Sequence, residues 1–137
     1  MVGRALWRAM EAAGFTKLIG RTRAELDLRD PAATQTFLAA EQPAVIIIAA
    51  AKVGGIEANR TQPADFFFDN QQIQTNLIHG AHRLGARKLL FLGSSCMYPR
   101  EAAQPLTESA LCSGPLEPTN EGYATAKLAG WKMCQAY

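Results

Sequence analysis

Apolar and polar positions along this chain repeat with two different periods, and the switches between them predict its elements. Residues 2–13 carry apolar side chains at helical spacing and stop at Gly14, a residue suited to a left-handed helix end. Two short apolar runs follow, Lys17–Gly20 and Glu25–Leu28, and each is predicted to be a strand. Asp30 is a good N-cap and Pro31 suits the first helical position, so a helix is predicted to about Gln42. Ala44–Ala49 is apolar throughout, as a strand covered by helices on both faces must be. Lys52–Pro63 reads as a loop. From about Ala64 to Leu84 the residues Phe66, Ile73, Leu77, Ala81 and Leu84 recur with helical period. A strand over 88–93 follows, then a long loop bearing prolines and glutamates, then a helix from about Asn120 to Tyr137. Such alternation implies a parallel sheet with right-handed crossovers, a doubly wound α/β domain.

Composition narrows the possible functions. At 137 residues the chain holds one domain at most. The net charge of +2 arises from interspersed signs, with no basic run and no aromatics interleaved with one, so nucleic-acid binding has no support. No window approaches the roughly 18 apolar residues of a membrane span. The cysteines Cys96, Cys112 and Cys134 are odd in number and lack CxxC spacing. That argues against a disulfide framework or a metal site and fits a reducing, cytoplasmic compartment.

Two stretches carry candidate chemistry. Leu92-Gly93-Ser94-Ser95-Cys96-Met97-Tyr98-Pro99 follows an apolar strand and turns a corner in small hydroxylated residues. Tyr123-Ala124-Thr125-Ala126-Lys127 stacks a phenol and an ammonium on one helix face. A serine hydroxyl at a strand end, facing a phenol whose proton an ammonium loosens, is a proton relay. Any one of these residues alone is ordinary; the set at this spacing points to an enzyme. Met1-Val2-Gly3 stands where a glycine-rich turn would end, which makes Gly3 a candidate third glycine at a pyrophosphate-binding helix start.

Residues 45–59 (VIIIAAAKVGGIEAN), 89–99 (LLFLGSSCMYP) and 117–127 (EPTNEGYATAK) together resemble the GDP-L-fucose synthases, within the extended short-chain dehydrogenase/reductase family. The likeness runs essentially the whole chain. It implies a Rossmann domain that uses NADP(H) and converts GDP-4-keto-6-deoxy-D-mannose to GDP-L-fucose by 3,5-epimerisation and 4-reduction. Tyr123 would then be the general acid at the C4 oxygen, with Lys127 favouring phenolate and bonding the nicotinamide ribose, and Ser94 orienting the substrate oxygen. Cys96 would serve epimerisation, with a histidine partner lying beyond residue 137. His79 and His82 read as ordinary surface residues. Leu92, Gly93, Ser94 and Ser95 would approach the dinucleotide, and Arg23 would accommodate the 2′-phosphate of NADP where an acidic residue would select NAD; Arg21 is a weaker candidate. Three consecutive aromatics, Phe66-Phe67-Phe68, cannot all face one core, and the family's dimer helices imply a homodimer through this helix and the one bearing Tyr123. Packing beneath the loop 52–63 is the alternative.

In doubly wound folds the first strand sits at the centre of the sheet, whereas this chain opens on a helix. Residues 1–137 therefore read as a partial NADP-binding domain, incomplete at both ends, with the substrate domain outside this chain. Strands at 17–20 and 44–49 would lack a shared neighbour, and each unpaired buried backbone group costs about 1–3 kcal/mol. These residues expressed alone are expected to fold poorly, to leave NADPH unbound and to be inactive. The alternatives are another extended-family nucleotide-sugar epimerase, dehydratase or reductase, or a non-catalytic fragment.

Overall fold

Asp30 illustrates how the local rules are realised. Its carboxylate accepts the Ala33 N–H at 3.0 Å, Pro31 takes the first helical position, and the helix runs to Glu41 before Gln42 turns left-handed at φ 43°. The computed structural model describes residues 1–137. In order these form α1 (Val2–Ala12), α2 (Pro31–Glu41), β1 (Val45–Ile48), α3 (Ile56–Thr61), α4 (Pro63–Leu84), β2 (Lys88–Phe91) and α5 (Glu121–Ala136). Short 3-10 turns occupy Ser95–Met97, Glu108–Ala110 and Pro118–Asn120. Gly14 and Gly85, just past α1 and α4, have φ of 86° and 75°, which only glycine adopts without strain. No helix is long and apolar enough to cross a membrane.

The architecture is α/β with a parallel sheet. β1 pairs with β2, setting Ile46 opposite Leu89 and Ile48 opposite Phe91. On that face Ile46 and Ile48 pack with Leu38 of α2 and Leu77, Ile78 and Ala81 of α4, bordered by Met133 and Cys134 of α5. Each fully buried aliphatic side chain contributes about 1.5–3 kcal/mol, so this cluster fixes the three helices against one side of the sheet.

Two expected strands are absent, because the sheet has two strands only. A strand exists through a partner's ladder, and no ladder reaches Lys17–Gly20. That segment lies instead against α1, with the Trp7 ring so close to Gly20 that a Cβ there would meet Cζ3 at 2.9 Å. Glu25–Leu28 is taken up by a turn in which the Glu25 and Leu26 N–H groups donate to the Thr22 carbonyl. The Thr22 N–H and hydroxyl donate in return to the Glu25 carboxylate at 2.7 and 2.8 Å. The Leu28 carbonyl, free of any ladder, accepts from the Asn76 amide at 2.8 Å.

Cover on both faces of Ala44–Ala49 is met on one face only. Val45 and Leu90, on the other side of the sheet, are 41% and 44% exposed, and α1 buries none of its residues. The predicted loop 52–63 contains α3, whose start is set by Gly55 in extended backbone. α4 departs from a simple apolar stripe as well, since Asp69, Asn70, Gln74 and Asn76 are buried beside Phe66, Leu77 and Ala81. Phe66 is buried while Phe67 and Phe68 are exposed, as three successive helical positions require.

Candidate functional site

The corner after β2 is fixed by sulfur and hydroxyl contacts. Ser94 is extended, and its Oγ accepts the Cys96 N–H at 3.2 Å, capping the turn Ser95–Met97. The Ser94 N–H points to the Met97 sulfur at 3.2 Å, and Met97 is buried. A Cβ on Gly93 would meet that sulfur at 3.0 Å, so a larger residue there would push the Met97 side chain aside. The strand end thus turns within four residues and presents Ser94 and Cys96 toward α5.

From α5, Lys127 is buried to 4% exposure and donates to the Leu92 carbonyl at 2.9 Å. Its ammonium also stands over the Phe91 ring, 4.6 Å from the centroid. Burial pushes its pKa below the ordinary lysine value. One turn earlier, burial raises the Tyr123 phenol above its ordinary value; a hydrogen bond from Ser94 opposes this and the neighbouring Cys96 adds to it. The expectation that Lys127 loosens the phenol proton is therefore not met in this arrangement. The ammonium is committed to a carbonyl and an aromatic face, and Tyr123 stays a protonated phenol, the form that donates a proton.

Cys96 completes the cluster. Its Sγ accepts an N–H from the Asn120 amide at 3.2 Å. Cys96, Asn120, Tyr123 and Asn59 line one cleft of about 290 Å³, closed on its far side by residues 53–56. That rim is held from below. The Asn70 side chain accepts the Lys52 N–H at 2.9 Å and donates to the Lys52 carbonyl at 3.0 Å and the Phe66 carbonyl at 2.7 Å. A Cβ on Gly54 would meet the Phe66 ring at 2.8 Å, so that glycine serves close packing, and its φ is not positive. The Lys52 ammonium reaches Asp69 at 3.4 Å and Asp65 at 3.5 Å. Burial raises the Asp69 carboxyl, but Arg29, at 3.0 Å, and Lys52 outweigh it and hold it below the usual carboxylate range.

The structure brings Leu92, Gly93, Ser94, Cys96, Tyr123 and Lys127 to one end of β2, with Ser95 exposed beside them. Gly3 stands apart, at the start of α1, where a Cβ would sit 3.8 Å from Ala49 just past β1. No side chain caps that helix start. Arg23 is exposed and makes no hydrogen bond or ion pair, whereas Arg21 is bound to Glu41 at 2.7 Å and stacked over Phe37 at 5.2 Å. His79 and His82 are exposed and sit against Tyr137. Asn120, Asn59 and Asn70 were not among the sequence candidates. Polar residues in a helical pattern carry no periodic signal, and for Asn120 only its place three residues before Tyr123 could have drawn notice.

A strand-end hydroxyl, a helix phenol and a buried lysine thus meet at the carboxyl edge of the parallel sheet of an α/β domain. Residues 1–137 match throughout the family described as NAD dependent epimerase/dehydratase, and the chain belongs to that family. It is 60% identical over its full length to a putative GDP-L-fucose synthase 2 of Arabidopsis thaliana and 54% identical to the GDP-L-fucose synthase of Escherichia coli K12. It spans 42% and 43% of those two proteins. A GDP-L-fucose synthetase of Naegleria fowleri, solved bound to NADP, superposes with a TM-score of 0.90 at 27% identity, over 98% of this chain and 41% of that one.

The residues present fit a nicotinamide dinucleotide. The start of α1, where Gly3 lies beside Ala49 just past β1, suits a pyrophosphate. The close backbone passage at Gly93, with Lys127 beneath it, suits the nicotinamide half.

Proposed function

We propose that the protein containing these residues is an NADP(H)-dependent GDP-4-keto-6-deoxy-D-mannose 3,5-epimerase/4-reductase that forms GDP-L-fucose. The observation that carries this reading is the convergence of Ser94, Tyr123 and Cys96 on one cleft end, with Lys127 buried behind them. The bound dinucleotide supplies a hydride to the C4 carbon. Ser94 holds the C4 oxygen and the Tyr123 phenol delivers the proton, a role suited to a group kept protonated by burial. Cys96, which lines the cleft, exchanges protons at the carbons flanking the ketone through its thiol.

Gly3 at the pyrophosphate, Arg23 at the 2′-phosphate, and Leu92, Gly93, Ser95 and Lys127 beside the nicotinamide ribose complete the cofactor set. Arg23 supports NADP over NAD because its guanidinium is free for a phosphate. The exposed Phe67 and Phe68 on α4 support a homodimer through α4 and α5. The odd, free cysteines support a cytoplasmic location.

The test supplies the full-length protein with GDP-4-keto-6-deoxy-D-mannose and NADPH, following NADPH oxidation and the sugar formed. Cys96→Ser is expected to abolish deuterium exchange at C3 and C5 while sparing hydride transfer to a pre-epimerised ketone. No NADPH oxidation with this substrate sinks the reading, and loss of neither activity in Cys96→Ser favours another nucleotide-sugar reductase.

A further inference from the structure

Asn120 is tied into the cleft in a way its position in the fold does not require. It immediately precedes α5, where an asparagine ordinarily turns its oxygen onto a first-turn N–H, yet its side chain makes no such bond. Its Oδ1 is buried without a partner. Its amide nitrogen is spent on Cys96 Sγ at 3.2 Å. The residue is otherwise held through its backbone, whose N–H donates to the Glu117 carbonyl at 3.2 Å. A residue kept for stability would pair its oxygen; this one forgoes both the cap and the acceptor, and aims a donor at a thiol.

We propose that Asn120 is a positioning residue for Cys96, its N–H holding the sulfur and stabilising the thiolate form. The inference rests on the reading of Cys96 as the proton-transfer group of epimerisation. A neutral thiol is a weak acceptor, whereas a thiolate accepts strongly, so a fixed N–H favours the charged form. Tyr123 is the one titratable side chain that lines the cleft with Cys96, and no aspartate, glutamate, lysine, arginine or histidine lines it. Lys127 lies behind, committed to Leu92. Among residues 1–137, an uncharged amide is thus the donor that meets the sulfur. In the step it serves, the thiolate takes a proton from carbon alpha to the ketone and becomes a thiol. The electron pair of the broken C–H bond passes into an enolate, whose oxygen Ser94 and Tyr123 hold. A proton delivered to the opposite face of that carbon, by the histidine partner that the resemblance implies beyond residue 137, restores the ketone with the centre inverted.

The experiment measures Cys96 alkylation by iodoacetamide against pH in the full-length protein, resolved by peptide mass spectrometry, for wild type, Asn120→Asp, Asn120→Ala and Asn120→Gln. Asn120→Asp, which replaces the donor by a negative charge, is expected to slow alkylation near pH 7 by about tenfold and to move the rate–pH curve to higher pH. Asn120→Ala is expected to move it in the same direction, and Asn120→Gln to recover part of the rate. Deuterium exchange at C3 and C5 should fall in parallel. Circular dichroism selects variants that remain folded; should Asn120→Asp not fold, Asn120→Ala decides. An unmoved alkylation curve in a folded variant overturns the inference whatever the activity. A curve that moves while Cys96→Ser still exchanges C3 and C5 overturns the epimerase role of Cys96 and leaves the Asn120 contact standing.

Discussion

Replacing Lys127 by methionine is expected to remove activity, to change stability by no more than about 2 kcal/mol at pH 7, and to flatten a pH dependence. The Lys127 ammonium is 4% exposed and meets the Leu92 carbonyl at 2.9 Å and the Phe91 ring at 4.6 Å. A hydrogen bond from a charged donor contributes about 1.5–3 kcal/mol, and a desolvated cation–π contact about 2 kcal/mol. Against these stands the loss of hydration, several kcal/mol for a buried ion after relaxation. The opposing contributions nearly cancel, and burial wins by enough to lower the lysine pKa. Methionine keeps most of the stem's packing, removes the ion, and leaves the Leu92 carbonyl short of a partner at about 1–3 kcal/mol. At pH 7 the variant should therefore lie within about 2 kcal/mol of wild type.

Between the lowered folded pKa and the unfolded value near 10.4, the unfolded chain binds a proton that the folded chain has released. Wild type should therefore gain stability relative to Lys127→Met as pH rises through that window. Urea melts of the full-length protein at several pH values, with NADPH oxidation at each, check this. The activity loss should be at least about 10²-fold, as when a group that positions the reactants is removed. A stability difference flat from neutral pH to about 10.4, or a variant weakened by more than about 3 kcal/mol at pH 7, would refute the reasoning.

Three further outcomes follow from the same geometry. Asn70→Ala should orphan the Lys52 N–H and carbonyl, costing about 2–4 kcal/mol, and amides 52–55 should exchange hydrogen faster; unchanged exchange there counts against the clamp. Gly130→Ala would set a Cβ 2.6 Å from Gln74 Oε1 and 2.7 Å from Phe91 Cζ. Overpacking of about 1–3 kcal/mol should exceed the helix-propensity gain of about 1 kcal/mol, so a variant melting at or above wild type contradicts it. Arg23→Glu should weaken NADP binding by about tenfold or more, the value of one charge-assisted bond, with NAD spared; calorimetric titration showing equal losses would remove Arg23 from the 2′-phosphate site.

What the sequence made legible were features with a local cause. Gly14 and Asp30 end and begin helices through their own backbone or side-chain chemistry, and those boundaries hold within a residue or two. The pairing of a Ser94 corner with a Tyr123–Lys127 helix was legible because both halves are short motifs of fixed spacing. Strandhood at Lys17–Gly20 was not, because a strand is defined by its partner, and no ladder reaches that segment. The direction of the Tyr123 shift was illegible for a related reason. Spacing on a helix placed Lys127 beside the phenol, but its long stem carries the ammonium to the Leu92 carbonyl.

The polar residues that interrupt the apolar pattern of α4 do a job that leucines at the same positions could not. Packing alone would favour apolar side chains at positions 70 and 74, since replacing buried polar groups by well-packed apolar ones is often neutral or stabilising. Instead Asn70 grips the backbone on both sides of Lys52, where the rim 53–56 begins, and Gln74 donates to the Ala126 carbonyl, next to Lys127. Gly130 is the notch that lets Gln74 approach α5 so closely. α4 lines none of the cleft that holds Cys96 and Tyr123, yet it holds the rim on one side and the helix bearing Tyr123 on the other. Positions 70 and 74, two of those where local pattern rules fail, therefore bear on the width of the cleft. Substitutions at Gln74, with no contact to substrate, should then move the phenol relative to Ser94 and change kcat more than stability.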